Sequence, residues 1–462
     1  MSSGIKKTLI ALSISSALVA PSAFATNGYF AHGYSTAEKG LAGAGAAYSH
    51  DALASATNPA GMVKVGERMD VGAALFNPNR QYTVTGTSSF DPTPGTPGCP
   101  GNDCFPLATG TYESDSNLFL IPHFGYNWML DDKTSFGIAA YGNGGMNTDY
   151  SSSVTSPLDG FLPPAGGAAS GTFGAGKAGV NLEQLFINAS YAKQINDKHA
   201  VGASLIFGYQ RFKATGLGLF AGKSNDATNL TDNGIDDSMG FGVKLGWQGD
   251  VAKDITVGVS YQSKMQMSEF DDYAGLFAEE GDFDIPATAI IGMAWKTSDR
   301  STLVVDLQKI YYSDVASIGN SIENLFVCSQ VGAPDPTCLG GSNGGGFGWD
   351  DMTVIKLGYE WEQNDMTWRV GLSKGDQPIQ GGGETSPPPN GSEVLFNILA
   401  PAVMETHLTF GFTMPLDSSS EFTFAGMYAP SNSVKGSSQF DSQVVEIEMD
   451  QLEFQGTYTM KF

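Results

Sequence analysis

Three groups of residues in this 462-residue chain have the types and spacing to do chemistry. The four cysteines form two close pairs, Cys99 with Cys104 and Cys328 with Cys338. Neither spacing fits a zinc knuckle and no histidine lies within either interval, so no metal site is expected. Four thiols allow three pairings. Disulfides persist in exported chains, and the short separations favour the local staples Cys99–Cys104 and Cys328–Cys338.

The second group is charged. Lys244, Lys264, Lys356, Arg369, Asp306, Glu360, Glu405 and His407 stand in stretches where polar and apolar residues alternate. Alternation sets them on the polar face of strands. One of the cations would suit a carboxylate ligand; alternatively they neutralise one another, as Lys356 and Glu360 would. His407 lies well inside a strand pattern, but no nucleophile motif accompanies it, so hydrolysis lacks its Ser–His or Asp–His constellation. No cofactor is expected.

The third group is "EKGLAGAGAAYSHDALASATNPAGM", Glu38 to Met62, rich in Ala and Gly and closed by Asn58-Pro59-Ala60. His32 and His50 here read as packing or hydrogen-bonding residues. Two acidic stretches, "SNDATNLTDNGIDD" and "EFDDYAGLFAEEGDFD", would meet divalent cations or cation-bridged lipopolysaccharide. Their spacing does not match an EF-hand loop, and solvated loops are the default expectation.

These residues must be positioned by something. Lys6 and Lys7, an apolar run from Thr8 to Val19, and Ala23-Phe24-Ala25 form a secretory signal cleaved before Thr26. The run is too short and Ser-rich to anchor in a bilayer. No later segment has the apolar length of a membrane helix, which leaves a soluble exported protein or a β-barrel. Only 16% of residues are charged and 59 are glycine, which favours the barrel. The net charge of −24 argues against nucleic acid as a partner.

From Glu67 onward the chain divides into segments with period-two patterning. In "SMGFGVKLGWQ", Met239, Phe241, Val243, Leu245 and Trp247 alternate with Gly240, Gly242, Lys244 and Gly246. In "VMETHLTFGFTM", Met404, Leu408, Phe410, Phe412 and Met414 oppose Glu405, His407 and Thr409. Fourteen strands are predicted, near 67–85, 116–130, 134–149, 180–195, 200–214, 238–249, 255–269, 285–297, 301–312, 350–362, 366–374, 403–414, 420–430 and 450–462. Short turns ("DDK", "NDKH", "SDR", "QND") alternate with long Gly-, Pro- and Ser-rich connections holding both cysteine pairs. Such strands exceed those of a soluble sandwich, and the rhythm is that of an outer-membrane barrel with its termini at the periplasmic rim. The fold class is therefore all-β, an antiparallel barrel of about fourteen strands. A bore this wide is open or plugged, and residues 26–66 are small and helix-compatible enough to plug it. The expected division is a signal at 1–25, a partly helical hatch at 26–66 and a barrel at 67–462.

The stretch "NGYFAHGYSTAEKGLAGAGAAYSHDALASATNPAGM" resembles the hatch of the FadL/TodX family of outer-membrane transporters for long-chain fatty acids and aromatic hydrocarbons. Asn58-Pro59-Ala60 matches the family's NPA motif, and the resemblance continues through "YGNGGMNTDY", "GVSYQSKM" and "IPATAIIGMAWKTSDRSTLVVDLQKIYYSD"; the terminal "LEFQGTYTMKF" resembles the C-terminal signature of bacterial outer-membrane proteins. It implies passive passage of a hydrophobic molecule in the bacterial outer membrane. The route would run from a groove between extracellular loops to a pocket near the hatch N-terminus, then sideways through the wall at a kinked third strand. Gly142, Asn143, Gly144 and Gly145 stand where that kink would fall, and clustered strand glycines mark bends. Thr26, Asn27 and Gly28, with Lys264 and Lys356 as cations, are the pocket candidates. Leu217, Leu219, Phe220, Phe270, Leu276 and Phe277, in the acidic loops and the stretch leading into them, would supply the groove. The expected partners are a hydrophobic small molecule, outer-membrane lipid and lipopolysaccharide, and the protein is expected to be a monomer. A general diffusion porin is the rival reading, although the chain holds few arginines for a charged constriction; an outer-membrane hydrolase is the less favoured one.

Overall fold

The computed structural model describes residues 26–88, 106–159, 169–379, 391–437 and 442–462. The signal region and the Cys99/Cys104 pair lie outside them.

Fourteen long strands form one closed antiparallel barrel. They are β1 (Arg68–Thr85), β2 (Phe119–Asp131), β3 (Thr134–Asn147), β4 (Gly179–Gln194), β5 (His199–Thr215), β6 (Asp236–Ala252) and β7 (Ile255–Gln262). There follow β8 (Thr288–Ser298), β9 (Ser301–Ile310), β10 (Met352–Gln363), β11 (Met366–Gly375), β12 (Thr406–Pro415), β13 (Ser420–Ser437) and β14 (Val444–Lys461). Each pairs with its neighbour, and β14 returns to β1 along its whole length, from Lys461 opposite Arg68 to Val444 opposite Thr85. Closure of β14 on β1 leaves no unpaired terminal strand, which a barrel in lipid requires.

The outward face is apolar. On β6, Met239, Phe241, Val243 and Leu245 are 49–61% exposed while Lys244 between them is buried. Aromatic rings collect beside the short turns, with Tyr126 4.2 Å from Trp128 and 5.8 Å from Phe462, and Trp368 5.7 Å from Phe412. This is the girdle that barrels place at a membrane interface.

Three strand ends differ from expectation by more than three residues. β13 continues past Pro430 to Ser437 through a bulge between Ala429 and Asn432, where a residue lacking its N–H does no harm. Its partner β14 starts correspondingly earlier, at Val444. Here the alternation inverts. Gln451, Glu453 and Gln455 point inward in the lower half, whereas Val445, Ile447 and Met449 are the buried residues above. On β1 the inward residues likewise change from Arg68 and Asp70 to Phe76, Tyr82 and Val84. The lower bore is polar, and the upper bore is an apolar chamber. Finally, β7 ends at Gln262 rather than running on, because the chain breaks at 263–265 and turns Met265 fully inward.

Candidate functional site

Residues 27–62 are buried almost throughout and lie inside the bore. The backbone is mostly irregular, with a helical turn at Thr36–Lys39, another at Ala54–Thr57 and a 3-10 turn at Pro59–Lys64. Irregular backbone at membrane depth must find partners in protein, and the inward charges provide them. Asp306 of β9 accepts from the amides of Gly45 and Ala46 at 2.9 and 3.0 Å. Lys356 of β10 donates to the carbonyls of His32 and Gly43 at 3.0 and 3.2 Å. Asp70 of β1 accepts from Ala52, Thr409 of β12 from Ala42, and Lys244 of β6 donates to the Ala56 carbonyl. Lys39 and Glu453 of β14 form a buried ion pair. These partners surround the segment on all sides. The expected Lys356–Glu360 pair does not form: Glu360 binds Arg369 (2.7 Å), Tyr48 (2.6 Å) and His50 (3.0 Å). Lys356 is spent on backbone and is not free for a ligand. His32 stacks on His407 with ring centroids 5.6 Å apart.

Asn58-Pro59-Ala60 sits against the wall at inward glycines of β5 and β6. The Asn58 Oδ1 accepts from the Ala60 amide, while Nδ2 donates to the carbonyls of Ala46 (2.7 Å) and Trp247 of β6 (3.0 Å). A Cβ on Gly246 would stand 2.0 Å from Asn58 Oδ1, and one on Gly202 of β5 would stand 2.4 Å from the Pro59 carbonyl carbon. Only glycine admits this approach at Gly202 and Gly246, whereas the inward glycines Gly240 and Gly242 make room for residues 263–267. Asn58→Ala removes a cap and strands two carbonyls, so local opening of the segment is expected to become easier by about 2 kcal/mol. Hydrogen exchange of residues 27–62 should report it, while the barrel remains inserted and heat-modifiable. Insertion failure of Asn58→Ala and Pro59→Ala alike would make the triplet a folding element.

The wall itself has a window. The β2–β3 ladder runs only from Asp131 opposite Thr134 to Phe124 opposite Ala140. Beyond it, β3 carries a register shift between Gly142 and Gly144 on its β4 side. On the β2 side its ladder groups meet the N-terminal segment instead: Gly144 pairs with Phe30, and the Gly145 amide donates to Tyr29 (3.0 Å). The two strand paths rejoin above, where the Asp115 amide donates to the Asp149 carbonyl at 2.8 Å.

Behind the window, Thr26–Asn27 and Phe30–Ala31 form a tight hairpin turning at Gly28, whose φ is +65°. The Tyr312 hydroxyl donates to the Asn27 carbonyl (2.5 Å) and accepts from the Tyr29 amide (3.2 Å). Tyr29, Phe30, Phe283, Tyr312 and Trp349 pack as an aromatic cluster with Tyr29 5.4 Å from Tyr312 and 6.1 Å from both Phe283 and Trp349. The Asn27 side-chain carboxamide is fully buried with no partner among the described residues. A small cavity of about 30 Å³ adjoins the window and touches Gly28, Gly145 and Trp349.

At the mouth, Leu217, Leu276 and Phe277 line a second apolar cavity with Phe212, Phe347 and Phe396. Phe220 packs on Phe396 at 5.2 Å and Phe270 on Phe212 at 5.6 Å; Leu219 is half-buried. The Cys328–Cys338 disulfide closes the loop beside this region, with the Leu339 amide donating to the Lys223 carbonyl (3.0 Å). Lys264 lies at the rim because of the break after β7, paired with Asp284 at 2.8 Å. Burial works against its charge, but the Asp284 hydrogen bond and carboxylate raise the ammonium's pKa. Burial and the neighbouring Asp284 push Asp282 up to about 7. Glu405 also escapes the bore, since Met404 turns inward and β12 begins at Thr406; it pairs with Lys374 (2.5 Å). Among the described residues no group of three or more His, Cys, Asp or Glu is arranged to hold a metal ion.

The structure thus gathers Asn27, Gly28, Gly144 and Gly145 at one place and leaves Lys264 and Lys356 elsewhere. The aromatic cluster was not singled out from sequence; "GYF" and "YYSD" stood only within longer stretches that carry the family resemblance.

Known proteins match this geometry. The model of the family of outer membrane protein transport proteins, OMPP1/FadL/TodX, matches residues 16–398, and the chain belongs to that family. Its barrel is the fold of that family's outer-membrane transport proteins. The Pseudomonas putida toluene transporter TodX is 18% identical with a TM-score of 0.62, over 93% of this chain and 99% of that one. The Ralstonia pickettii toluene transporter TbuX is 15% identical (TM-score 0.59, 93% and 99%). A Pseudomonas aeruginosa FadL homologue is 15% identical (TM-score 0.60, 94% and 100%). No curated protein sequence matches the chain.

Proposed function

We propose that this protein passes hydrophobic small molecules, long-chain fatty acids or related hydrocarbons, passively through the bacterial outer membrane. Residues 1–25 act as a signal, 26–66 as a hatch and 67–462 as the barrel. The molecule lands among Leu217, Leu219, Phe220, Phe270, Leu276 and Phe277, and moves to the aromatic cluster around the hatch N-terminus. It leaves sideways at Gly142–Gly145, with Asn58-Pro59-Ala60 holding the hatch. The observation that carries this reading is the window, a stretch of wall where β3 is bonded to the N-terminal segment rather than to β2. Burial of each methylene contributes about 0.8 kcal/mol, so an apolar chamber competes with water, and a lateral exit avoids the aqueous periplasm. The protein acts as a monomer among outer-membrane lipid and lipopolysaccharide and performs no catalysis.

The bonded segment in the bore favours this over a diffusion porin. Planar-bilayer recording should give little steady ion current, while liposomes carrying the protein should take up a labelled fatty acid or alkylbenzene faster than empty ones. A large steady conductance with no hydrophobe uptake would establish the porin instead.

A further inference from the structure

The apolar upper wall has one charged exception at the window. Arg80 lies on β1 between the inward residues Pro78 and Tyr82, and only 5% of it is exposed. Its side chain passes behind β2 to reach β3, where Nη1 donates to the Asn147 carbonyl at the top of the window. The Phe119 ring of β2 stands 5.8 Å from the guanidinium carbon. Nε and Nη2 are buried and have no partner among the described residues. Asp149, near the same edge of the window, is engaged by Lys177 at 2.8 Å.

Arginine cannot shed its proton, so this charge persists in an apolar place where the one carboxylate acting on it, Asp149, is already paired with Lys177. The two free donors, Nε–H and Nη2–H, share one edge of the guanidinium plane. That edge matches the two oxygens of a carboxylate. Arg80 also lines the cavity touched by Gly28, Met146, Trp349 and Met449. Its volume of about 30 Å³ has room for a head group and not for a chain. A tail would have to lie in the window or among the aromatic rings.

We propose that Arg80 anchors the head of an amphiphilic carboxylate at the inner side of the window, and so selects acids over neutral hydrocarbons of equal length. This rests on the window reading above and adds the residue that sets substrate class. The same oxyanion chemistry is offered by the phosphate of a resident lipid, so the test separates the two sources.

Delipidated full-length protein in a neutral detergent would be titrated with laurate, with dodecanol, and with laurate in competition with phosphatidylglycerol, at pH 8 where laurate is ionised. The parent is expected to bind laurate at least tenfold more tightly than dodecanol, with phosphatidylglycerol a poor competitor. Arg80→Gln should weaken laurate about tenfold and leave dodecanol within twofold; Arg80→Lys, which keeps charge but loses the fork, should fall between. Heat-modifiability reports folding, and Arg80→Lys alone decides if the glutamine variant does not insert. Equal affinity of the parent for laurate and dodecanol, an unchanged ratio in the variants, or displacement of laurate by equimolar phosphatidylglycerol would each overturn the assignment. Transport of hydrophobes would survive those outcomes, whereas failure to bind either probe would defeat it as well.

Discussion

Gly144→Val is expected to reduce hydrophobe uptake at least tenfold while leaving the barrel inserted. A Cβ at this position would stand 2.1 Å from the Tyr29 carbonyl oxygen, 3.0 Å from its carbon and 3.2 Å from the Phe30 Cα. All three are backbone atoms, which cannot swing aside like a side-chain tip. The N-terminal hairpin must therefore leave the window. It would lose the Phe30–Gly144 pairing, the Tyr312 hydroxyl contacts and the ring contacts of Tyr29. A β-branched residue also favours regular pairing, so β3 would be drawn toward β2 and the wall closed. The remaining ladders are untouched, and they hold the barrel together. Uptake of a labelled fatty acid or alkylbenzene, beside heat-modifiability of the same sample, separates the two effects. Parental uptake by an inserted variant whose β2–β3 ladder is continuous would mean that the molecule leaves by another path.

What the sequence could reveal followed from what each pattern depends on. Barrel strands announce themselves because lipid outside demands an apolar residue at every second position, and the fourteen strands were legible on that basis. The same rule failed above the membrane. On β14, Glu446, Glu448 and Asp450 turn outward toward water and Val445, Ile447 and Met449 inward, so an alternation read as lipid-out ends too soon. The inward glycines were legible as a face, but their reasons, the seat for Asn58 and Pro59 at Gly202 and Gly246 and the room for Met265 and Met267 at Gly240 and Gly242, need the third dimension. Lys264 and Glu405 were misplaced by one-residue breaks at strand ends, where period two carries no memory across a kink. Arg80 escaped notice because nothing in "NPNRQYT" says that its neighbours in space are apolar.

The buried pair of Lys39 and Glu453 should behave as the latch of the bore segment. Lys39 is 4% exposed and Glu453 2%, so neither charge has water to fall back on. Most other wall contacts of the segment are single hydrogen bonds, each contributing about 1 kcal/mol. Removing one member of a buried ion pair costs about 3–5 kcal/mol, because the other charge is left alone. Glu453→Leu should therefore make the segment open roughly a hundredfold to a few thousandfold more often, at about 1.4 kcal/mol per tenfold. The β13, β14 and β1 ladders should hold meanwhile, since their bonds are between backbone groups. Faster proteolysis or hydrogen exchange within residues 27–62 and flickering ion current in a planar bilayer are the expected signs. The double variant Lys39→Met with Glu453→Leu replaces both charges by apolar side chains of similar bulk, a change that is often neutral or stabilising. It should return exchange and current close to the parent, and the double-mutant cycle would then show strong coupling. If the double variant were as open as Glu453→Leu, the loss would lie in packing around β14, and the segment would be held by its many backbone contacts rather than by this pair.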